Sequence, residues 1–148
     1  MRRKVFLPVA FWATVLVAAL GVRFISAQVA DTTPPTIISC SASPATLWPP
    51  NHKMKEVTLF AALADDTDPT PSFHIIGVAS NEPVTGPGAG NFAPDWLITG
   101  SHTVQLRSER NGNGTGRIYT ITIEASDASG NTTTSTCEVK VPHDKRKK

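Results

Sequence analysis

Several groups of residues in this 148-residue chain have the types and spacing to do chemistry. In Leu47-Trp48-Pro49-Pro50-Asn51-His52-Lys53 an indole stands beside an amide, an imidazole and an ammonium. Two consecutive prolines stiffen that segment toward polyproline II and remove two backbone donors. Trp48, with Asn51, His52 and Lys53 beside it, is therefore a candidate surface for stacking on a sugar ring or a proline-rich peptide. The same residues can serve structure instead, with Trp48 plugging one end of the fold and Pro49-Pro50 forcing a kink between sheets. A second group is acidic. Asp65, Asp66 and Asp68 sit together before Pro69, and Asp127 stands in a later turn. Calcium takes about six to eight oxygens, mostly carboxylates and carbonyls on loops, so these four are candidate ligands. Asp is also an ordinary turn former, and EF-hand spacing is absent.

Other chemistries find little support. His52, His74, His102 and His143 are scattered, without the His-Glu-x-x-His spacing of a zinc site. There is no Gly-x-Ser-x-Gly elbow around a nucleophile. The glycines from Gly112 to Gly116 lack phosphate-loop spacing and do not lead into a helix. The expectation is a protein that is not an enzyme and carries no cofactor other than, at most, calcium.

The elements that must position these residues are strands. From Thr36 onward the hydrophobic period is two. Tyr119, Ile121, Ile123 and Ala125 alternate with Thr120, Thr122 and Glu124, the mark of a half-buried antiparallel strand. Val57, Leu59, Ala61 and Leu63 alternate in the same way, as do Val104 with Leu106 and Val139 with Val141. Phe73, Ile75 and Gly77 are expected to share one face of a further strand, and Ile38 and Cys40 one face of the first. Asn111 to Gly116 and Asp127-Ala128-Ser129-Gly130-Asn131 supply turns, and Gly86-Pro87-Gly88-Ala89-Gly90 marks a long irregular connection. Six or seven short strands in this length fit an all-β fold, an immunoglobulin-like antiparallel β-sandwich of about seven strands, with a small barrel as the alternative.

The two ends set the compartment. Arg2, Arg3 and Lys4 precede an apolar run from Val5 to Val22, and Ala27 offers a small residue for cleavage. Residues 1–27 read as an export signal, or, if uncleaved, as an anchor helix that places the domain outside the cytoplasm all the same. The organisation expected is a leader over 1–27, a linker over 28–35, the sandwich over 36–143 and a basic tail over 144–148. Without the leader, 10 basic residues face 12 acidic ones, a net charge of −2. Lys145, Arg146, Lys147 and Lys148 hold four of those ten, so the body is acidic and no nucleic-acid partner is expected. Membrane contact is expected only through an uncleaved leader. Cys40 and Cys137 are the only cysteines, and in an exported chain a pair is expected to be bridged.

Asp31-Thr32-Thr33-Pro34-Pro35-Thr36-Ile37 at the start of the domain and the strand and hairpin from Tyr119 to Asn131 at its end resemble bacterial extracellular immunoglobulin-like modules. These are the modules related to hyalin-repeat, polycystic-kidney-disease and cadherin-type domains. The Leu47 to Lys53 segment resembles a marker of one subset, with Ser80-Asn81-Glu82-Pro83 and Pro94-Asp95-Trp96 as further shared pieces. The resemblance spans about Asp31 to Asp144. It implies adhesion, spacing or matrix display at the cell surface or in the medium, and calcium held at loop ends as cadherin-like modules hold it. The expected partner is an extracellular protein or glycan.

Overall fold

A computed structural model describes residues 30–85 and 92–144. The leader over 1–27 and the basic residues Lys145 to Lys148 lie outside the described residues. Each regular element described is a strand: β1 (Thr36–Ser43), β2 (Met54–Ala64), β3 (Ser72–Ser80), β4 (Trp96–Ile98), β5 (Thr103–Arg107), β6 (Gly116–Ser126) and β7 (Thr132–Pro142). They form two antiparallel sheets, one in the order β1-β2-β5-β4 and the other in the order β3-β6-β7.

The alternation seen in sequence builds the core. Val57 and Leu59 from β2 and Val104 and Leu106 from β5 face Ile75, Tyr119, Ile121, Ile123, Val139 and Val141 of the other sheet, and all are buried. Each such side chain contributes about 1.5–3 kcal/mol through burial. Two bulges alter the expected faces. A register shift between Ile37 and Ser39 turns Ile38 outward, leaving Ile37, Cys40 and Ala42 as the inner row. A second shift, between Ile75 and Gly77, leaves Ile76 outward as alternation requires but makes Val78, rather than Gly77, continue the inner row after Ile75. One inserted residue exchanges the faces of everything beyond it, because the side-chain period is two. The connection expected to be irregular, Gly86 to Gly90, lies outside the described residues, and β4 beyond it was not anticipated, because three residues are too few to show a period.

Cys40 and Cys137 form a disulfide across the two sheets, from β1 to β7, with Cα atoms 5.5 Å apart. Beyond Ser43 the chain leaves the first sheet. Lys140 N donates to Ala45 O (3.0 Å) and Leu47 N to Lys140 O (2.8 Å), so Thr46 forms a parallel bridge with β7. The crossing from sheet to sheet therefore comes before Trp48, and the residue that plugs the core end is Leu47, 2% exposed. The open edge of β3 is partly covered: Ile75 N donates to Ser101 O, and His102 Nε2 lies 2.8 Å from Phe73 O. Such cover blocks pairing with a stray strand.

Gly116 opens β6 with φ +114°, and a Cβ there would lie 2.8 Å from Val141 O. Gly116→Ala is expected to cost about 1–3 kcal/mol from backbone strain alone. A urea unfolding midpoint unchanged from wild type would contradict this.

Candidate functional sites at the two poles

Loops gather at both ends of the sandwich. At one end the segment before β1, the β2–β3 loop and the β6–β7 turn meet. Asp127 Oδ1 and Oδ2 accept hydrogen bonds from the backbone N and side-chain Nδ2 of Asn131, at 2.8 and 2.7 Å. The Asn131 amide also donates to Asp31 O (3.2 Å), which docks residues expected to be a linker onto this pole. Carboxylate oxygens of Asp31, Asp65 and Asp127 lie within 4.8 Å of one another. Asp31 Oδ2 and Asp65 Oδ2 are buried atoms without a hydrogen-bond partner.

Of the four acidic residues singled out from sequence, Asp65 and Asp127 come together here. Asp66 is exposed and accepts from the Thr67 hydroxyl (3.4 Å), while Asp68 ties the two loops by accepting Ala128 N at 2.9 Å. Asp31 was missed, for it stands in a segment with no periodicity. Partial burial raises the pKa of Asp127, but hydrogen bonds from Asn131, Ser129 and Gly130 outweigh that and hold it below the usual carboxylate value. A carboxyl with a depressed folded pKa stabilises the fold fully above its unfolded pKa and loses that contribution as pH falls through the folded one. Urea midpoints taken from about pH 5 downward should therefore fall less steeply for Asp127→Asn than for wild type. Parallel curves would rule this contribution out.

At the opposite end, the Leu47 to Lys53 segment is clamped onto residues 107–109. Ser108 Oγ donates to Pro49 O (2.7 Å), Ser108 N to Lys53 O (2.9 Å), and His52 N to Ser108 O (2.9 Å). Arg107 Nη1 donates to His52 O at 2.7 Å. His52 takes the left-handed conformation, φ 62°, uncommon without glycine. Its ring explains the choice: Nδ1 lies 2.8 Å from Oε2 of Glu109, a carboxylate 1% exposed, and the ring packs 5.1 Å from Phe92. Asn51 Oδ1 turns back to Lys53 N (3.3 Å), Lys53 is exposed, and Trp48 is 37% exposed. The segment thus presents Trp48 and Lys53 outward on a backbone anchored through His52. His52→Ala leaves a buried carboxylate without its partner and should cost about 1–3 kcal/mol, read as a lowered unfolding midpoint. Lys53→Ala is expected to stay within about 0.5 kcal/mol of wild type.

Behind this loop lies a buried ionic cluster not anticipated from sequence. Arg117 and Asp95, both 0% exposed, form an ion pair. Arg117 Nε also lies 3.3 Å from Glu82 Oε2, its Nη1 lies 3.1 Å from Tyr119 Oη, and its Nη2 lies 3.1 Å from Pro83 O. Tyr119 Oη donates to Arg107 O at 2.8 Å, and Trp96 packs edge-on against the Tyr119 ring, 6.3 Å away. Burial pushes the Tyr119 hydroxyl up to about 12 against the opposing pull of Arg117, with Asp95 and Glu109 adding to the rise. It remains a donor throughout the neutral range. Burial alone would lower the Arg117 pKa, but Tyr119 and Asp95 more than reverse that, so its charge is fixed.

No protein-family model, curated protein or solved structure matches the chain. Its chemistry must therefore be read from these contacts. The other histidines each have a local partner: His74 lies 3.8 Å from Glu124, His102 stacks on Phe73, and His143 Nε2 lies 2.9 Å from Gly112 O. A groove of about 400 Å³ beside β3 is lined chiefly by Ala61, Leu63, Pro69, Pro71, Phe73 and His102. His102 is already engaged with Phe73 O there.

Proposed function

We propose that the chain is an exported, non-catalytic immunoglobulin-like module that binds an extracellular protein or glycan, or assembles at the cell surface. The observation that carries this reading is strand order. A β1-β2-β5-β4 sheet facing a β3-β6-β7 sheet is the ABED and CFG arrangement of constant-type immunoglobulin domains. Tyr119 adds support, because a hydroxyl near the start of the sixth strand bonded back to upstream backbone resembles the tyrosine corner of that fold. The Cys40–Cys137 bridge suits an oxidising compartment, although it joins the first and last strands rather than the second and sixth. Trp48 and Lys53, on the stapled loop, are the binding residues of this reading.

The test begins with the intact mass of protein recovered outside the cytoplasm. Loss of residues 1–27 is the expected result; their retention would make the chain an anchored module instead. Acrylamide quenching of wild type and Trp48→Phe then reads Trp48 directly, and glycan and peptide arrays compare the same two proteins. Array binding lost in Trp48→Phe supports the assignment. Equal binding by both moves the site away from this loop, and turnover of an ester, glycan or peptide substrate overturns the non-catalytic reading.

A second role, calcium binding at the acidic pole, is favoured by the two buried carboxylate oxygens that lack hydrogen-bond partners, on Asp31 and Asp65. Three carboxylates on neighbouring loops suit a hard cation, with carbonyls and water completing the shell. Calcium at a hundredfold excess over its dissociation constant would stabilise the fold by about 2.7 kcal/mol. Asp31→Asn should abolish that gain. A thermal midpoint indifferent to calcium removes this role and leaves the module assignment standing.

A further inference from the structure

We infer that Asn111 is a site of spontaneous backbone modification, at which the amide nitrogen of Gly112 attacks the side-chain carbonyl of Asn111. The chain has two Asn-Gly pairs in one loop, Asn111-Gly112 and Asn113-Gly114, and sequence alone treats them alike. The fold does not. Asn111 to Gly114 form a turn in which Gly114 N donates to Asn111 O at 3.1 Å, so the nitrogen that would attack Asn113 is tied up. Gly112 is exposed, and no hydrogen bond from its nitrogen is formed among the described residues.

Two further contacts favour reaction at Asn111. Its Oδ1 accepts Asn113 N at 2.9 Å, and a donor on that oxygen stabilises the charge that develops there as the carbonyl is attacked. The Arg110 guanidinium lies beside Gly112, 3.9 Å from where a Cβ would stand. A fixed positive charge there favours loss of the Gly112 amide proton and the anionic adduct that follows.

The step balances with water alone. Gly112 N bonds to Asn111 Cγ and gives its proton to solvent. The Cγ–Nδ2 bond breaks, and the nitrogen leaves as ammonia with a proton from solvent. Water then opens the resulting cyclic imide at one carbonyl or the other, giving aspartate or isoaspartate. Either product places a new carboxylate next to Glu82, whose Oε2 accepts Asn111 N at 2.7 Å and also faces Arg117. Isoaspartate in addition reroutes the main chain through the side chain at that hydrogen bond.

The experiment uses the oxidised full-length protein, aged at neutral pH and 37 °C and then cut with trypsin, which releases residues 111–117 between Arg110 and Arg117. The expected result is conversion at Asn111 several-fold faster than at Asn113 in the folded protein, and nearly equal rates once the chain is reduced and unfolded in guanidinium. Gly112→Ala should suppress the Asn111 reaction. Gly112 does not take the left-handed conformation, and a Cβ there would meet only the Arg110 guanidinium at an ordinary contact distance of 3.9 Å, so this variant folds. Equal rates in the folded protein, absence of conversion, or an Asn111 rate unchanged in Gly112→Ala would each overturn the assignment.

Discussion

Replacing Cys40 and Cys137 together by serine should lower the unfolding free energy by about 5 kcal/mol. The bridge closes a separation of 97 residues. In the chain-entropy account, a loop of this size costs the unfolded ensemble about 4.7 kcal/mol of conformational freedom that the cross-linked chain never regains. Single domains are stable by about 5–15 kcal/mol in all, so the variant should sit at the edge of folding at 37 °C. Because the effect acts on the unfolded state, the denaturant slope should rise along with the loss, since an unlinked chain exposes more surface. A loss below about 1 kcal/mol in guanidinium titration would show that the unfolded chain stays compact without the bridge.

Arg117 is expected to be the most sensitive single side chain. Its guanidinium is enclosed with Asp95, Glu82, Tyr119 Oη and Pro83 O. Arg117→Met keeps much of the volume but strands a carboxylate pair in a low-dielectric interior. Breaking a buried pair in this way costs about 3–5 kcal/mol. Arg117→Lys should recover only part of that, because a lysine presents a point charge where a planar fork meets several acceptors. The decisive comparison is Arg117→Met with and without Asp95→Asn. If stranded charge is the cause, the second substitution restores stability to the first. Additive losses in the double variant would instead make packing the cause.

The readable part of this fold was the part in which one strand repeats one rule. β6 shows its inner row in Tyr119, Ile121, Ile123 and Ala125, and β2, β5 and β7 show theirs. Extending the β6 parity one step back lands on Arg117, so its inward direction was legible; its charge argued for the surface, and the carboxylates that reverse that, Asp95 and Glu82, stand 22 and 35 residues away. Ile38 and Gly77 were misassigned because a bulge adds a residue without leaving a mark in composition. The His52–Glu109 pair spans 57 positions between two loops, and no local pattern links them. Asp65 and Asp127 were visible as turn acids. Their meeting with Asp31 depends on where the segment before β1 docks, which is a tertiary fact.

The route of the first strand has a mechanical consequence. Residues 45–47 run parallel to β7 and share hydrogen bonds with Lys140, and the Cys40–Cys137 bond lies close to both ends of the domain. Tension applied at Asp31 and Asp144 passes from Cys40 directly to Cys137. The residues between the two sulfurs carry none of the load. Fully drawn out, they would add about 320–350 Å of length, all of it withheld while the covalent link is intact. Pulled from its two ends, the oxidised domain behaves as a short, inextensible link, and reduction turns it into a slack tether.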